Sequence, residues 1–406
     1  MIYLILLLLI LFGVYYYDYR QNYNGRLVFL IFILIYMICL VGFRYRMGID
    51  SIKYENLYNW QQHTIGQLTV DDFKDTRFQP FWVILTALCF TISDEFMLLQ
   101  FVIAIIVNCT VFYFLWKNTR RIFFAVLLYY FFLYLNLNME VLREALAVCT
   151  FLWAWPFFKK GKWLLYYLMC CVAFLFHLSA IVLFFLPILW IPGIRWFFQM
   201  GSRTWIICAL VLFLSFAVNY FFFNFIEAVA MTENMVERAQ EYSKNDLGGN
   251  RLNIFGAVGQ LIKFFLYPAV ALYFVNLSKK KKGEITMGWN KQVMMTLVAL
   301  YFALSSVGIA IFSRFNNYFQ FFSFLIMSDW IFSILEFKGK RLRLQFLTWI
   351  ILFLPLFGIA FYTYMLNNYN KDGTLKQYMM FYPYSNQFDK ELDPQREKII
   401  NYSRKR

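Results

Sequence analysis

The chain has little of the charge and few of the ligand residues from which soluble catalytic and binding sites are usually built. Charged residues make up 15% of its 406 residues, and only two of the 406 are histidines. Its seven cysteines lie inside or at the edges of apolar runs, and none has the spacing of a metal site. We therefore interpret the cysteines as small apolar packing residues and predict no metal centre.

Apolar and aromatic residues take the place of the missing charge. Hydrophobic residues make up 61% of the chain, aromatic residues 22%, and the mean hydropathy is +0.56. Continuous hydrophobic runs recur along the whole length of the chain. They predict an all-α polytopic integral membrane protein with about 12–13 hydrophobic helices. The predicted runs are 2–17, 27–43, 81–92, 96–116, 122–137, 145–158, 163–176, 178–191, 205–223, 254–276, 293–312, 318–335 and 344–366.

The distribution of charge predicts the topology. The formal net charge is +15, and the basic residues cluster in short connections such as that of Arg20 and Arg26, 117–121, 159–162, 279–282 and 338–343. Short basic connections face the cytoplasm, so the excess of positive charge indicates topology and not a nucleic-acid partner. Residues 1–366 then form one transmembrane helical domain with two long extracytoplasmic loops, 44–79 and 224–253. Residues 367–406 form a polar C-terminal tail, which we expect to be peripheral.

Two segments need a separate interpretation. The run 81–92 is short for a span, and a full span there would place the basic residues 117–121 outside. We favour a re-entrant helix, with a short tilted span as the alternative. In the loop 225–253, Met231, Met235 and Ala239 recur at helical spacing, which predicts an amphipathic helix lying on the membrane surface.

Three charged residues follow the second apolar run directly. Arg44, Arg46 and Asp50 stand where a membrane span would end, and charges at that depth usually have a partner or a function. The step Gly48-Ile49-Asp50 indicates a backbone turn, and we expect it to direct the Asp50 carboxylate back toward the two arginines.

A second group of charges surrounds the start of the helix predicted from residue 145. If residues 138–147 are helical, Glu140 faces Arg143 and Glu144 one turn on. One interpretation is an internally neutralised helix start. The other is that Arg143 binds phosphate oxygens, since its planar fork fits phosphate geometry, and that a glutamate fixes its orientation.

Two later residues lie at predicted turns on the same outer side. His177 is either a hydrogen-bonded packing residue or a neutral imidazole that accepts a proton from a sugar hydroxyl. Arg314 either extends to the membrane interface or supplies a further cation for a diphosphate. Asp71, Asp72 and Asp75 are interpreted as a capped helix start.

The order of these features resembles the EpsG/Wzy group of bacterial polysaccharide polymerases over residues 36–330. The resemblance rests on five short motifs: Arg44-Gly48-Asp50-Tyr54, Gln79-Pro80, Arg143-Glu144-Ala145, Phe176-His177-Ser179 and Arg314-Tyr318. Gln79 stands where the family has glutamate, and Glu144 stands where it has glutamine.

The resemblance implies a membrane glycosyltransferase with a GT-C-like architecture in the bacterial inner membrane. Such an enzyme joins oligosaccharide repeat units carried on undecaprenyl diphosphate at the outer face, without a metal, nucleotide sugar or other cofactor. Its expected partners are this lipid-linked oligosaccharide, the bilayer, a chain-length regulator and a flippase. Two other functions fit the same features, namely a flippase for the lipid-linked unit and an O-antigen-type ligase.

The resemblance also implies a role for each candidate residue. The arginines expected to bind the diphosphate are Arg44, Arg143 and Arg314, with Arg46 as a further candidate. The candidates for the base that takes the proton of the acceptor hydroxyl are His177 and Asp50, and we favour His177 because its ordinary pKa lies nearest neutrality. The alternative role for Asp50 is to orient an arginine. The residues expected to support the site are Glu140, Tyr54 and Tyr318.

Overall fold

The structure is a computed structural model, and it describes residues 2–61, 63–74, 78–193, 310–335, 374–391 and 393–404. The described residues form helices and connections, and they contain no β-strand. This agrees with the predicted all-α class, while the number of spans and the GT-C-like architecture stay predictions. The predicted spans 205–223, 254–276 and 344–366, the surface helix in 225–253 and the boundary at 366/367 lie outside the described residues.

The α-helices in these ranges are α1 (Ile2–Gly13), α2 (Arg26–Gly42), α3 (Ile49–Gln61), α4 (Val70–Lys74), α5 (Pro80–Ile92), α6 (Phe96–Asn118), α7 (Ile122–Tyr129), α8 (Leu142–Lys159), α9 (Trp163–Phe176), α10 (Ile181–Phe185), α11 (Ala310–Leu335) and α12 (Pro394–Arg404). Helix α1 continues as a π-helix over Val14–Tyr19, and π-helical segments Tyr130–Tyr134 and Asn136–Glu140 follow α7. Short 3₁₀ segments lie at Ile65–Gln67, Leu178–Ala180, Leu186–Trp190 and Gln377–Met380.

Two of the described helices are long and apolar enough to cross a membrane, Ile2–Tyr19 and Phe96–Asn118. Shorter apolar helices lie at Arg26–Gly42, Pro80–Ile92, Ile122–Tyr134, Trp163–Phe176 and Leu178–Trp190. The 13 residues of α5 are about 20 Å long at the rise of an α-helix, against a hydrocarbon core of about 30 Å. The predicted short segment is therefore a helix, and whether it is re-entrant or tilted stays a prediction.

The chain divides into two compact units. The first contains Met1–Leu68, Phe81–Trp153 and Ile331–Arg406, and the second contains Thr69–Pro80 and Ala154–Trp330. In the first unit α2 packs along α6, and α1 packs against α2 and α7.

One end of the first unit gathers two of the predicted basic connections around a buried carboxylate. Asp18 lies 3.8 Å from Arg26, and its Oδ2 accepts a hydrogen bond of 2.8 Å from the Phe124 N–H in the first turn of α7. Arg121 donates to the Asp18 carbonyl oxygen. The connection around residues 20–26 and the connection 117–121 therefore meet at one end of the helices, and the side of the membrane that they face stays a prediction.

The other end of α2 leads into residues 43–48, which we call the Arg44 loop, and then into α3. The π-helix Asn136–Glu140 lies against the start of α3. A buried polar network supports this π-helix: the side chains of Asn108, Asn138 and Tyr129 are joined by hydrogen bonds of 2.9–3.1 Å. A closed network of this kind satisfies its amide and hydroxyl groups without water.

The described part of the C-terminal tail is packed into the first unit. Leu375, Met380, Phe381, Ile399 and Ile400 are buried. The Tyr45 N–H donates to the Ser385 carbonyl, and the Gln387 N–H donates to the Phe43 carbonyl, so the tail runs antiparallel to the Arg44 loop. The expectation of a peripheral tail is therefore wrong for the described residues 374–391 and 393–404, because apolar side chains scattered along this polar segment are buried.

In the second unit, α9 ends at Phe176, and after His177 the chain returns through Leu178–Trp190. The Tyr166 hydroxyl donates to the Leu183 carbonyl at 2.7 Å and joins the two arms of this hairpin. Helix α11 runs without a break from Ala310 to Leu335. The turn predicted around Ser313-Arg314 is therefore wrong: no glycine or proline interrupts this segment, and buried Phe315, Phe319 and Phe322 recur at helical spacing.

Candidate functional site

Arg44 is a buried link between α2 and α3. Its side chain is 1% exposed, its Nη1 donates to the Val41 carbonyl, and its Nη2 donates to Ser51 Oγ at 2.9 Å. Burial lowers the pKa of the guanidinium to about 10. Because two of its nitrogens already bind the protein, contact with a diphosphate would require the Arg44 loop to open. The predicted diphosphate-binding role of Arg44 stays a prediction.

Gly48 brings the Arg44 loop against the π-helix. Its φ is +80°, in the left-handed region, and a Cβ there would lie 2.7 Å from the Met139 carbonyl oxygen and 3.0 Å from Glu140 Oε1. The Gly48 N–H donates to the Met380 carbonyl at 3.2 Å. The turn predicted at this glycine is therefore present, and it requires a residue without a side chain.

Glu140 caps the N-terminus of α3. Its two carboxylate oxygens accept hydrogen bonds from the backbone N–H groups of Ile49 at 3.1 Å and Asp50 at 3.2 Å. The pKa of Glu140 is raised to about 8, mainly by burial and then by the Asp50 charge, against the lowering effect of the two backbone donors. Residues 138–147 do not form the continuous helix on which the predicted Glu140–Arg143 pairing depended, because the π-helix ends at Glu140, Val141 leaves helical geometry, and α8 begins at Leu142. The Glu140 carboxylate therefore points to α3 instead of pairing one turn along.

Asp50 lies in the first turn of α3, and its Oδ1 is 3.1 Å from Lys53 Nζ. Both side chains are partly exposed. The expectation that its carboxylate turns back toward Arg44 and Arg46 is wrong, because helical geometry places Lys53 next to it three residues on. Asp50 remains a solvent-accessible carboxylate, and its role as a base stays a prediction.

Arg143 and Tyr54 are joined, although 89 residues separate them in the chain. Arg143 lies in the first turn of α8 and is 7% exposed, and its Nε donates to the Tyr54 hydroxyl at 3.1 Å. Its guanidinium carbon is 5.7 Å from the centre of the Tyr54 ring. Trp82 of α5 packs against the same ring, with 4.8 Å between the ring centres. The sequence did not indicate this contact. Tyr54 therefore contacts Arg143 directly, and its supporting role in a site stays a prediction.

The side chain of Arg46 forms an ion pair with the C-terminal helix, α12. Its Nε lies 3.2 Å from Glu397 Oε1, and its backbone φ is +46°, in the left-handed region. The neighbouring Arg396 is 3% exposed and donates to the Arg46 carbonyl at 3.5 Å and to Ser385 Oγ at 3.0 Å. Sequence reasoning missed both Arg396 and Glu397, because nothing in a polar helix far from the motifs indicates what it contacts.

The second unit joins two further motifs through hydrogen bonds. His177 Nδ1 is 2.7 Å from Ser179 Oγ, and Ser179 Oγ is 3.0 Å from the Tyr318 hydroxyl. The Ser179 backbone N–H also donates to His177 Nδ1, at 3.2 Å. Since Nδ1 accepts from a backbone donor, the proton of a neutral ring lies on Nε2, and His177 presents a donor. Arg314 is half-buried and precedes Tyr318 by one turn of α11.

The structure thus brings the candidates together in two groups. Arg44, Arg46, Asp50, Tyr54, Glu140 and Arg143 belong to the first unit, while His177, Arg314 and Tyr318 belong to the second. Among the described residues, no three His, Cys, Asp or Glu side chains are placed to hold a metal ion together.

Comparison with known proteins gives one match. A sequence model of the EpsG family matches residues 26–386, which include every motif described above. No curated protein and no solved structure matches the chain. The family match extends over most of the sequence, from the start of α2 to the tail residues beside the Arg44 loop. The chain therefore belongs to the EpsG family.

Proposed function

We propose that the chain is a membrane glycosyltransferase that joins undecaprenyl-diphosphate-linked oligosaccharide repeat units during the synthesis of a surface polysaccharide. Membership of the EpsG family indicates a membrane protein with a polysaccharide polymerase-type function. The lipid carrier, the outer membrane face and the residue roles are parts of the proposal.

The observation that carries the proposal is the pairing of motifs that lie far apart in the chain. Tyr54 binds Arg143, and His177 is connected to Tyr318 through Ser179. Packing alone does not require hydrogen bonds between the motif residues themselves. Hydrogen bonds between motif residues hold an arginine and an imidazole in position, which supports a chemical role for both.

The reaction breaks the bond between the anomeric carbon of the donor sugar and a diphosphate oxygen. The acceptor hydroxyl oxygen bonds to that carbon and loses its proton, and the diphosphate leaves with the bonding electrons. Negative charge therefore develops on the leaving oxygen, where a preorganised guanidinium stabilises it. We assign this role first to Arg143, because the hydrogen bond from its Nε to Tyr54 leaves it in a fixed orientation.

His177 and Asp50 take different roles in the proposal. The Nε2–H of His177 is a donor to a phosphate or sugar oxygen, because its Nδ1 accepts from Ser179. Asp50, a partly exposed carboxylate, is then the candidate that takes the proton of the acceptor hydroxyl. Arg314 is a second cation for the diphosphate, and Arg44 and Arg46 contribute mainly by holding the loop that precedes α3.

The test is complementation of a deletion strain. We expect the strain to accumulate lipid-linked single repeats that reach the outer surface, with no polymer. Arg143→Ala should leave that phenotype unchanged. Arg143→Lys should lower polymer formation on the order of 10²-fold, since an ammonium cannot replace a fork of N–H donors. Polysaccharide ladders on gels and the protein level in membranes are measured together.

The matched control is Lys117→Ala, which removes an exposed cation at the basic end of the first unit and should leave the ladder unchanged. Repeats trapped on the inner leaflet would indicate a flippase, and complete lipid-linked polymer without transfer would indicate a ligase. Normal ladders in Arg143→Ala, His177→Ala and Arg314→Ala alike would refute the assignment of these residues.

A further inference from the structure

The Arg44 loop adopts a backbone that its own sequence does not favour. Two of its residues, Arg46 at φ +46° and Gly48 at φ +80°, lie in the left-handed region. Glycine tolerates this region, but arginine rarely adopts it. Contacts from outside the loop must therefore hold Arg46 in place.

These contacts come from the C-terminal segment. The backbone N–H groups of Tyr45 and Gly48 donate to the carbonyls of Ser385 and Met380, at 2.9 Å and 3.2 Å. The Gln387 side chain donates to the Arg44 carbonyl at 3.1 Å. The segment thus binds the backbone on both sides of Arg46.

Two residues of α12 complete the attachment at Arg46 itself. Arg396 is buried, and its guanidinium donates to the Arg46 carbonyl, to Ser385 Oγ and to the carbonyls of Met379 and Pro383. Glu397 forms the ion pair with the Arg46 side chain at 3.2 Å. Arg396 therefore connects the Arg44 loop to Met379, Pro383 and Ser385 of the C-terminal segment.

We propose that Arg396 and Glu397 are positioning residues that lock the Arg44 loop, and through it the start of α3. The proposal rests on the proposed function for its effect on polymer formation, but the lock itself is a structural claim. Both residues lie beyond residues 26–386, the range that the family match covers. The chain therefore uses a segment outside that range to fix the first motif.

The loop reaches the candidate site through α3. Arg44 binds Ser51, and Glu140 caps the N–H groups of Ile49 and Asp50, so a shift of the loop moves the first turn of this helix. Tyr54, which holds Arg143, lies one turn further along α3. Release of the loop should therefore loosen the Tyr54–Arg143 pair without removing any residue that contacts substrate.

The test measures amide hydrogen exchange of residues 43–50 by mass spectrometry on the purified full chain. Arg396→Lys keeps the positive charge but loses the planar guanidinium with its several N–H donors. Glu397→Arg places a second positive charge next to Arg46. Each should speed exchange at Tyr45 and Gly48 about tenfold. Lys398→Ala is the matched control, because Lys398 is exposed on the same helix and should leave exchange unchanged. The charge swap Arg46→Glu with Glu397→Arg should restore slow exchange relative to Glu397→Arg alone.

The same variants are then tested for polymer in the deletion strain. Arg396→Lys should give less and shorter polymer at an unchanged protein level. Wild-type exchange rates in both single variants, or a swap that exchanges as fast as Glu397→Arg alone, would overturn the lock. Faster exchange with a normal polymer ladder would overturn the positioning role. If the deletion strain itself makes normal polymer, the proposed function fails, and the exchange measurements still decide the lock.

Discussion

At Gly48, backbone conformation and close packing limit the same residue. A side chain there would be strained by the positive φ and would also approach the Met139 carbonyl and Glu140 to within 3.0 Å. We predict that Gly48→Ala lowers the free energy of unfolding by about 3 kcal/mol. The measurement is thermal unfolding of the purified protein in detergent.

Substitutions at two other glycines separate the effect of the positive φ from the effect of the close contacts. Gly25 also has a positive φ, of +72°, but its nearest neighbour to an added Cβ is the Tyr17 hydroxyl at 3.6 Å, so Gly25→Ala should cost only about 1 kcal/mol. Gly66 has open space around it, and Gly66→Ala should change little. Equal effects at Gly48 and Gly25 would contradict the role of the contact with the π-helix.

The arginines show how differently similar residues are used. Arg44 is buried and bonded to Val41 and Ser51, Arg46 is paired with Glu397, and Arg143 is held by Tyr54. Sequence reasoning treated all three as cations for one diphosphate. The contacts that separate them differ in range: Arg44 binds residues nearby in the chain, whereas Tyr54 and Glu397 lie far along the chain from Arg143 and Arg46.

At the scale of the helix, α3 depends on a carboxylate from another segment for its N-terminal cap. The Glu140 pKa of about 8 lies above its ordinary value of 4.5 because the carboxyl is buried. Between these two pH values the unfolded chain has released this proton and the folded protein retains it. The free energy of unfolding should therefore fall as the pH rises from about 4.5 to about 8, and then level off.

Glu140→Gln tests this dependence, because it keeps one acceptor oxygen for α3 and cannot ionise. We expect the thermal midpoint of this variant to vary less with pH across that range than the midpoint of the wild type. Asp94→Asn, which removes an exposed carboxylate of the α5–α6 connection, should retain the wild-type dependence. A slope in Glu140→Gln equal to that of the wild type would assign the pH dependence to other groups.

The π-helical segments that follow α7 also depend on contacts with another helix. A buried network of hydrogen bonds lies at these segments and joins the side chains of Tyr129, Asn138 and Asn108. The sequence predicted a helical run over 122–137 and gave its approximate extent. It did not reveal that the run ends in π-helical turns, because these depend on partners in α6.

At the scale of the whole molecule, the first unit has two chemically different ends. One contains Arg26, Arg121 and buried Asp18, and the other contains the Arg44 loop and Glu140. From the positive-inside rule we expect the basic end to face the cytoplasm and the end with the Arg44 loop to face outside. We predict that Asn24→Cys is protected from a membrane-impermeant thiol reagent added to intact cells and that Phe388→Cys reacts.

Both positions are exposed, so the comparison depends on membrane side and not on burial. The seven native cysteines are replaced first, and both variants should react after permeabilisation. Reaction at Asn24→Cys in intact cells, with protection at Phe388→Cys, would reverse the proposed orientation.

The sequence by itself determined the class of the protein and the places to look. Continuous apolar runs require helices, because helices satisfy their own backbone groups in an apolar medium, and charges near the ends of those runs are rare enough to identify. Both signals are local, so they can be read without knowing the fold. Arg143, His177 and the Gly48 turn were found in this way.

Only the tertiary structure decided which residues bind one another. It directed Glu140 to α3, Asp50 to Lys53 and His177 Nδ1 to Ser179, and it brought Arg396 and Glu397 to the Arg44 loop. Hydrogen bonds and ion pairs act over about 3 Å and depend on orientation, so separation along the chain does not predict them. The composition of the tail indicated a polar periphery, but its packing made it the support of the first motif.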